Sequence, residues 1–504
     1  MAALALLAVP AASHAQTTGV GENIKHISQI EYAAKHQAKK NQGSDIEFAT
    51  IANKTYAFAG SYDNGLQIID ISDPEKAEKV AVWDCGIAQG DVQVFQRKDL
   101  GNRWFATFTK DGSYDFRRQS ECATTLAERG VTFPGTGLNA ANGTFIVDVT
   151  NPRNPKTVSY FAVGQGSHNG TVHPSGKWFY NSNSDLITSA QAAIEIFSLE
   201  DIDKPTKVGE LPLKTFPGLG TESHDITFND AGTRAYTAAL SHGEVIDTTR
   251  PDKPVSIGTI LDPAINVWHQ SDPVRITDPV LGTRDFLLVE DEVAGAAGTG
   301  QCPNGGVHVY DITGANEFAP VKVGYWNIDD ARGTDNNGPS TIGTSTLGRC
   351  TAHVFDIHED QALMTIAYYN GGVRVVDLSG LVGVALGNAG VGMKELGFYR
   401  FQGGTNWSDT WAVKAPTVDR KGFYLYGNDQ RRGFDVYRYA PATPTLTKSS
   451  DTWMTPGEQL LAARNQEAKF GKPALAAVCL FGQDGVRTAA TQAGLSTSLI
   501  DARG

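Results

Sequence analysis

The chain has 504 residues, 40% of them hydrophobic, with 54 glycines, 22 prolines and a formal net charge of −12. That length exceeds what one simple core fills, so a repeat architecture or two domains is expected, and glycine this frequent favours short strands joined by tight turns over long helices. The acidic balance, with no Lys/Arg-rich run, excludes nucleic acid and anionic membrane from the expected partners.

In chain order, Met1 to Pro10 is an apolar run followed by Ser13 and Ala15, which reads as the apolar region and cleavage site of a signal peptide over residues 1–15. The positively charged start of such a peptide is lacking. The expected protein is exported, whether extracellular, periplasmic or on the cell surface. No later segment reaches the roughly 18–20 apolar residues of a transmembrane segment. Cys85, Cys122, Cys302, Cys350 and Cys479 fit export with one or two disulfides. Cys85 with Cys122 and Cys302 with Cys350 are plausible pairs, and the sequence leaves the connectivity open. None forms Cys-x-x-Cys, which argues against a structural zinc site of that type.

Residues 16–440 carry the repeat. Its clearest copies are Gly65-Leu-Gln-Ile-Ile-Asp-Ile-Ser-Asp-Pro74 and Gly143-Thr-Phe-Ile-Val-Asp-Val-Thr-Asn-Pro152, with weaker ones opening at Gly243, Gly306 and Gly372 and degenerate ones at Ile194 and Gly433. Alternation with period two in β-branched and aromatic residues means strand, and the Asp/Asn-Pro step turns the chain. Before each copy lies another short strand, such as Arg103-Trp-Phe-Ala-Thr-Phe, and after it a third, such as Lys79-Val-Ala-Val-Trp. Ahead of all three sits a segment opening on His or Asp. Four strands, seven times, predict an all-β, seven-bladed β-propeller of four-stranded blades. The last unit lacks an outer strand, and the orphan segment Ile24–Glu31 has the pattern to supply it and close the ring.

Residues 112–142 and 291–350 interrupt the period as long insertions in blades 2 and 5, and such loops often carry specificity. Residues 441–504 read as a linker and helical tail, with the capping box Thr455-Pro-Gly-Glu458 opening a helix to about Phe470.

The runs Gly65-Leu-Gln-Ile-Ile-Asp-Ile-Ser-Asp-Pro74 and Gly372-Val-Arg-Val-Val-Asp-Leu-Ser379 resemble the LVIVD repeat of secreted and surface bacterial propellers. The resemblance spans residues 24–440 and implies the propeller and export, but no particular reaction. His-Asn and His-Asp at inner-strand starts, as at His168 and His224, are similar to that family.

Four repeats open on histidine, at His168, His224, His269 and His353, and three on aspartate, at Asp45, Asp91 and Asp409. On a propeller these seven side chains form an axial ring. Four imidazoles there are candidate ligands for one transition metal ion (Fe, Cu, Zn or Mn), with Asp91 or Asp409 handling protons. Repeated polar residues also keep blades in register without any ion. Two functions stay open. One is a binding or interaction protein taking a protein, glycan or small-molecule ligand on its rim loops and axial funnel. The other is an extracellular metalloenzyme, an oxidoreductase or hydrolase, with the metal on the axial histidines. His173 and His358, five residues after ring histidines, are assigned to the opposite rim, and His308 to a structural role.

Overall fold

The chain is described by a computed structural model, which covers residues 17–33, 40–62, 64–85, 89–110, 143–164, 166–184, 191–217, 219–292, 305–328, 351–388, 390 and 392–441. The signal-peptide segment, the residue 112–142 insertion, the helical tail and Cys122, Cys302, Cys350 and Cys479 lie outside them. Among the described residues no helix is long and apolar enough to cross a membrane.

Seven antiparallel sheets make a β-propeller. Their innermost strands are Gly43–Ile51, Gln89–Arg97, Gly170–Val172, Asp225–Phe228, Trp268–Asp278, His353–His358 and Thr410–Lys414, one for each of blades 1 to 7. The strands that the repeat predicts follow outward in order; in blade 1 these are Lys54–Ser61, Leu66–Asp70 and Glu78–Trp83. In blade 5 the segment expected as insertion contains the third and fourth strands, Gly306–Asp311 and Val321–Trp326, so only parts of residues 291–350 are loop. A five-residue helix, Leu381–Ala385, precedes the outer strand of blade 6 and has no counterpart in the repeat.

The N-terminal segment serves two blades. Thr18–Glu22 pairs with Lys394–Gln402 as a fifth strand of blade 6. Asn23, at φ 57°, turns the chain in the left-handed region that asparagine tolerates. Ile24–Ile30 then pairs with Gly433–Tyr439 and takes the outer place in blade 7.

The core lies between blades, because alternate residues of every strand face the neighbouring sheet. Phe58, Leu66 and Ile68 of blade 1 pack with Phe108 and Phe145 of blade 2. Ile46, Ala57 and Ile69 of blade 1 likewise share a cluster with Tyr426, Phe434 and Val436 of blade 7. Each large apolar side chain so buried contributes about 1.5–3 kcal/mol. This packing holds the inner strands around a common axis.

Candidate functional site

Most inner strands open with an irregularity. In blade 5, Trp268 pairs with Asp291 and Gln270 with Glu290, so His269 is the extra residue of a bulge. The same two-against-one pairing adds Val354 in blade 6, Trp411 in blade 7 and Gly90 in blade 2. A bulge re-aims the side chains around it. Here it lets residues three apart face the axis together: His269 with Asp272, His353 with Asp356, and Trp411 with Lys414 line the same cavity.

That axial cavity has a volume of about 250 Å³. At one end stand the imidazoles. His168 and His224 have ring centroids 4.2 Å apart, His224 and His269 4.1 Å, His269 and His353 4.4 Å. The next ring is the indole of Trp411, 4.1 Å from His353. The arc is therefore four histidines and a tryptophan. Asp409 does not line the cavity; its Oδ2 lies 3.6 Å from Arg431 Nε, and its backbone N–H donates to Asp429 Oδ2 at 2.7 Å. Blade 7 is thus shifted by two residues from the sequence expectation. A two-residue shift keeps a strand residue on the same face, so alternation could not detect it.

The walls are carboxylates. Asp45 and Asp91 line the cavity, joined by Glu47, Asp225, Asp272 and Asp356, with Lys414 as the only cationic side chain of the lining besides the imidazoles among the described residues. Lys414 Nζ reaches Asp45 at 2.9 Å and Glu47 at 2.8 Å. Burial disfavours its charge, but Asp45 and Glu47 outweigh burial and hold its pKa well above the usual value. Asp91 accepts from the Gly170 backbone N–H at 2.7 Å, bridging blades 2 and 3. Burial and the neighbouring Asp45 push its pKa well up. Burial carries Glu47 to about 7 against the pull of Lys414, Asp272 to about 7, and raises Asp225.

Burial also disfavours the charged form of two of the imidazoles. Burial holds His224 well below its ordinary pKa and takes His269 down to about 4. His224 Nδ1 bonds the His269 carbonyl at 2.8 Å and His353 Nδ1 the Trp411 carbonyl at 2.6 Å. Each bond ties one blade to the next. His269 Nδ1 instead meets Glu290 Oε2 at 2.6 Å.

The four histidines do not converge as one ligand set. The ligand atoms that gather within 4.8 Å of one another belong to His269, His353 and Glu292, and neither His168 nor His224 is in that group. The rings are tilted by 42–55° from one to the next.

Glu290 and Glu292, which sequence reasoning missed, come from the end of the second strand of blade 5. The visible signal is two glutamates spaced by two after the apolar run Phe286-Leu-Leu-Val289. His173 bonds Ser175 and the Gly232 carbonyl, and His358 lies 3.2 Å from Asp356. His308 contacts Lys322 away from the axis.

The profile of the LVIVD repeat matches residues 53–77, which run from the second strand of blade 1 through its third to the turn that follows. The chain is thus a seven-bladed propeller that carries a match to the LVIVD repeat in blade 1. The match falls on the blade in which the sequence repeat is most regular. Comparison with curated proteins gives no match for this chain.

Among solved structures it is similar to the periplasmic gluconolactonase PpgL of Pseudomonas aeruginosa, at 8% identity, with 81% of this chain and 99% of that one covered and a TM-score of 0.48. It is also similar to a functionally unknown protein of Desulfotomaculum acetoxidans, at 14% identity, 67% and 83% coverage and a TM-score of 0.41. The C-terminal WD40 domain of Sif2 matches at 10% identity, 80% and 82% coverage and a TM-score of 0.44. Similarity at this level concerns fold alone, and the function has to be argued from the site.

Proposed function

We propose that this propeller is an exported binding protein whose axial funnel takes a compact cationic group, an alkylammonium or a guanidinium. The observation that carries the reading is the lining of the funnel: Asp45, Glu47, Asp91, Asp225, Asp272 and Asp356 face a cavity of about 250 Å³ in which, among the described residues, Lys414 alone supplies an ammonium. A cation entering between these walls gains charge-assisted hydrogen bonds in a weakly screened site. The pKa values of Asp91, Asp225, Glu47 and Asp272, raised first by burial and then by neighbouring carboxylates, support it, since an entering cation would offset both. The apolar run at residues 2–9 and the LVIVD repeat support export.

Calorimetric titration tests this with n-butylamine, methylguanidinium and, as neutral control, n-butanol, at pH 8 and low salt. A lysine-rich peptide forms a further arm, to distinguish a free amine from a protein side chain as the source of the cation. The expected result is saturable binding of one cation per chain, weakened in an Asp91→Asn, Asp225→Asn double variant, and no heat from the alcohol. Absence of saturable binding by either cation and by the peptide would refute the reading.

A further inference from the structure

Glu290 and Glu292 do not line the funnel, whereas His269 and His353 do, so the two imidazoles stand between the open cavity and a buried polar cluster. In that cluster His269 Nε2 lies 3.6 Å from Glu292 Oε2, and His353 Nε2 lies 3.8 Å from Glu292 Oε1. One carboxylate thus offers an oxygen to each of two imidazoles. Both distances are too long for a hydrogen bond. They are close to the ligand-to-ligand edge of a tetrahedral ion with bonds of 2.0–2.1 Å, roughly 3.3–3.4 Å. His269 is 3% exposed, and its Nε2 has no hydrogen-bond partner among the described residues although it lies 3.6 Å from Glu292. Leaving a buried imidazole nitrogen unsatisfied costs about 1–3 kcal/mol, and such a group calls for an explanation.

The surroundings orient the rings as metal-binding histidines are oriented. His353 Nδ1 bonds a backbone carbonyl, which only accepts, so the hydrogen sits on Nδ1 and the Nε2 lone pair faces Glu292. His269 Nδ1 is held by Glu290 Oε2. Tyr369 donates its hydroxyl to Glu292 Oε1 at 2.5 Å, fixing the plane of the carboxylate. Tyr369 itself sits at φ 43°, a left-handed conformation rare for a bulky residue. Two imidazoles and a carboxylate, each oriented from behind, match the donors of a borderline divalent ion; hard ions such as Ca²⁺ and Mg²⁺ demand all-oxygen surroundings.

We infer that His269 Nε2, His353 Nε2 and the Glu292 carboxylate form a binding site for one borderline divalent transition ion of the zinc class, separate from the carboxylate walls of the funnel. Water fills the remaining coordination positions. The site replaces the four-histidine set expected from sequence by one that keeps two of those histidines and adds Glu292. It stands independently of the cation-binding funnel, since none of the funnel's aspartates is a ligand.

The test uses the full chain without a histidine tag, stripped with chelator and titrated with Co²⁺ or Zn²⁺ at pH 7.5. The expected result is one ion per chain, with the intense visible bands of four- or five-coordinate Co²⁺ and no competition from millimolar Mg²⁺ or Ca²⁺. Glu292→Gln, which keeps an acceptor for Tyr369, is expected to weaken Co²⁺ binding at least about a hundredfold. Asp91→Asn is expected to leave it unchanged and to affect only amine binding in the funnel.

His353→Gln repeats the test should Glu292→Gln fail to fold. In the wild-type protein, Zn²⁺ must shift the Nε2 resonances of His269 and His353 and leave those of His242 and His308 in place. Failure of the wild type to bind Co²⁺ or Zn²⁺ stoichiometrically at micromolar concentration overturns the inference. So does equal binding by a folded Glu292→Gln or His353→Gln variant, or a weak six-coordinate Co²⁺ spectrum.

Discussion

Lys414 Nζ lies 2.9 Å from Asp45 Oδ1, an ion pair that joins the last inner strand of the propeller to the first. Both side chains are largely shielded from water, at 14% and 10% exposure, and Glu47 completes the cluster at 2.8 Å. Removing one partner of such a pair strands the other charges in a poor solvent, which costs more than the pair contributes. Lys414→Met is therefore expected to lower stability by about 3 kcal/mol in urea denaturation at pH 8. Adding Glu47→Gln to it should recover part of that loss. A Lys414→Met protein as stable as the wild type would show that the two blades are held by packing alone.

Asp272 gives the funnel a pH dependence of definite sign. Its pKa is raised by burial from 3.8 to about 7, against the hydroxyl of Thr227 and the amide of Gln270, which donate at 2.6 and 2.9 Å. The folded state holds this proton more tightly than the unfolded one, so the contribution of Asp272 to stability is fully present below pH 4 and is lost as pH rises through about 7. Neutral Asn does not titrate. The stability of the wild type relative to Asp272→Asn should thus fall steadily from about pH 4 to about pH 7 and level off above it, as read by denaturation midpoints across that range. A difference that is flat with pH would place the carboxyl in ordinary solvent contact.

Glu47 titrates near the same pH, and this bears on the ligand. With Glu47 and Asp272 both raised to about 7, entry of a cation at neutral pH has to displace protons. Amine affinity is expected to rise by roughly tenfold between pH 6 and pH 8, with proton release visible as a buffer-dependent heat of binding. Binding that is strongest at pH 6 would contradict the funnel chemistry proposed above.

Much of the architecture was legible because each third strand repeats one pattern: a glycine, an alternating apolar run, an aspartate and a turn. The histidine arc was legible for the same reason, since His168, His224, His269 and His353 open equivalent strands. Three features were hidden, each with a physical cause. Trp411 takes the place expected for Asp409 because a two-residue slip preserves the face of a strand. Asp272, Asp356 and Lys414 escaped notice because alternation puts residues three apart on opposite faces, and the bulges at the strand starts cancel that rule. Glu290 and Glu292 belong to a neighbouring strand, so only tertiary pairing brings them to His269.

Gly90 is the bulge residue beside Asp91, and its conformation is needed. Its φ is +64°, and a Cβ there would meet the Phe108 ring at 2.0 Å. Alanine would incur the left-handed penalty and push a core ring out of place, together about 2–3 kcal/mol. Gly90→Ala should lower the melting temperature and also weaken amine binding, since it moves the strand that aims Asp91. A substitution that leaves both unchanged would mean the bulge is not what aims that carboxylate.

The strand Ile24–Ile30 offers the last prediction. It pairs along Gly433–Tyr439, buries Ile24 to 3% exposure, and places His26 Nε2 2.8 Å from the fully buried Asp435. Without it, the backbone of Gly433–Tyr439 becomes an open sheet edge, a liability for aggregation, and Asp435 keeps Arg432 as its charged partner at 2.7 Å. Deleting residues 17–30 should thus cost at least about 3 kcal/mol, given the lost apolar burial and ladder bonds. The deleted protein should also gain a concentration-dependent tendency to associate. A synthetic peptide of residues 17–31 supplied in trans should restore the melting temperature, because the peptide itself carries the bulge between His26 and Ser28 that sets its register on the vacated edge. A deletion protein that stays monomeric and melts with the wild type would show that the three remaining strands of blade 7 and their packing against blade 1 hold the ring without it.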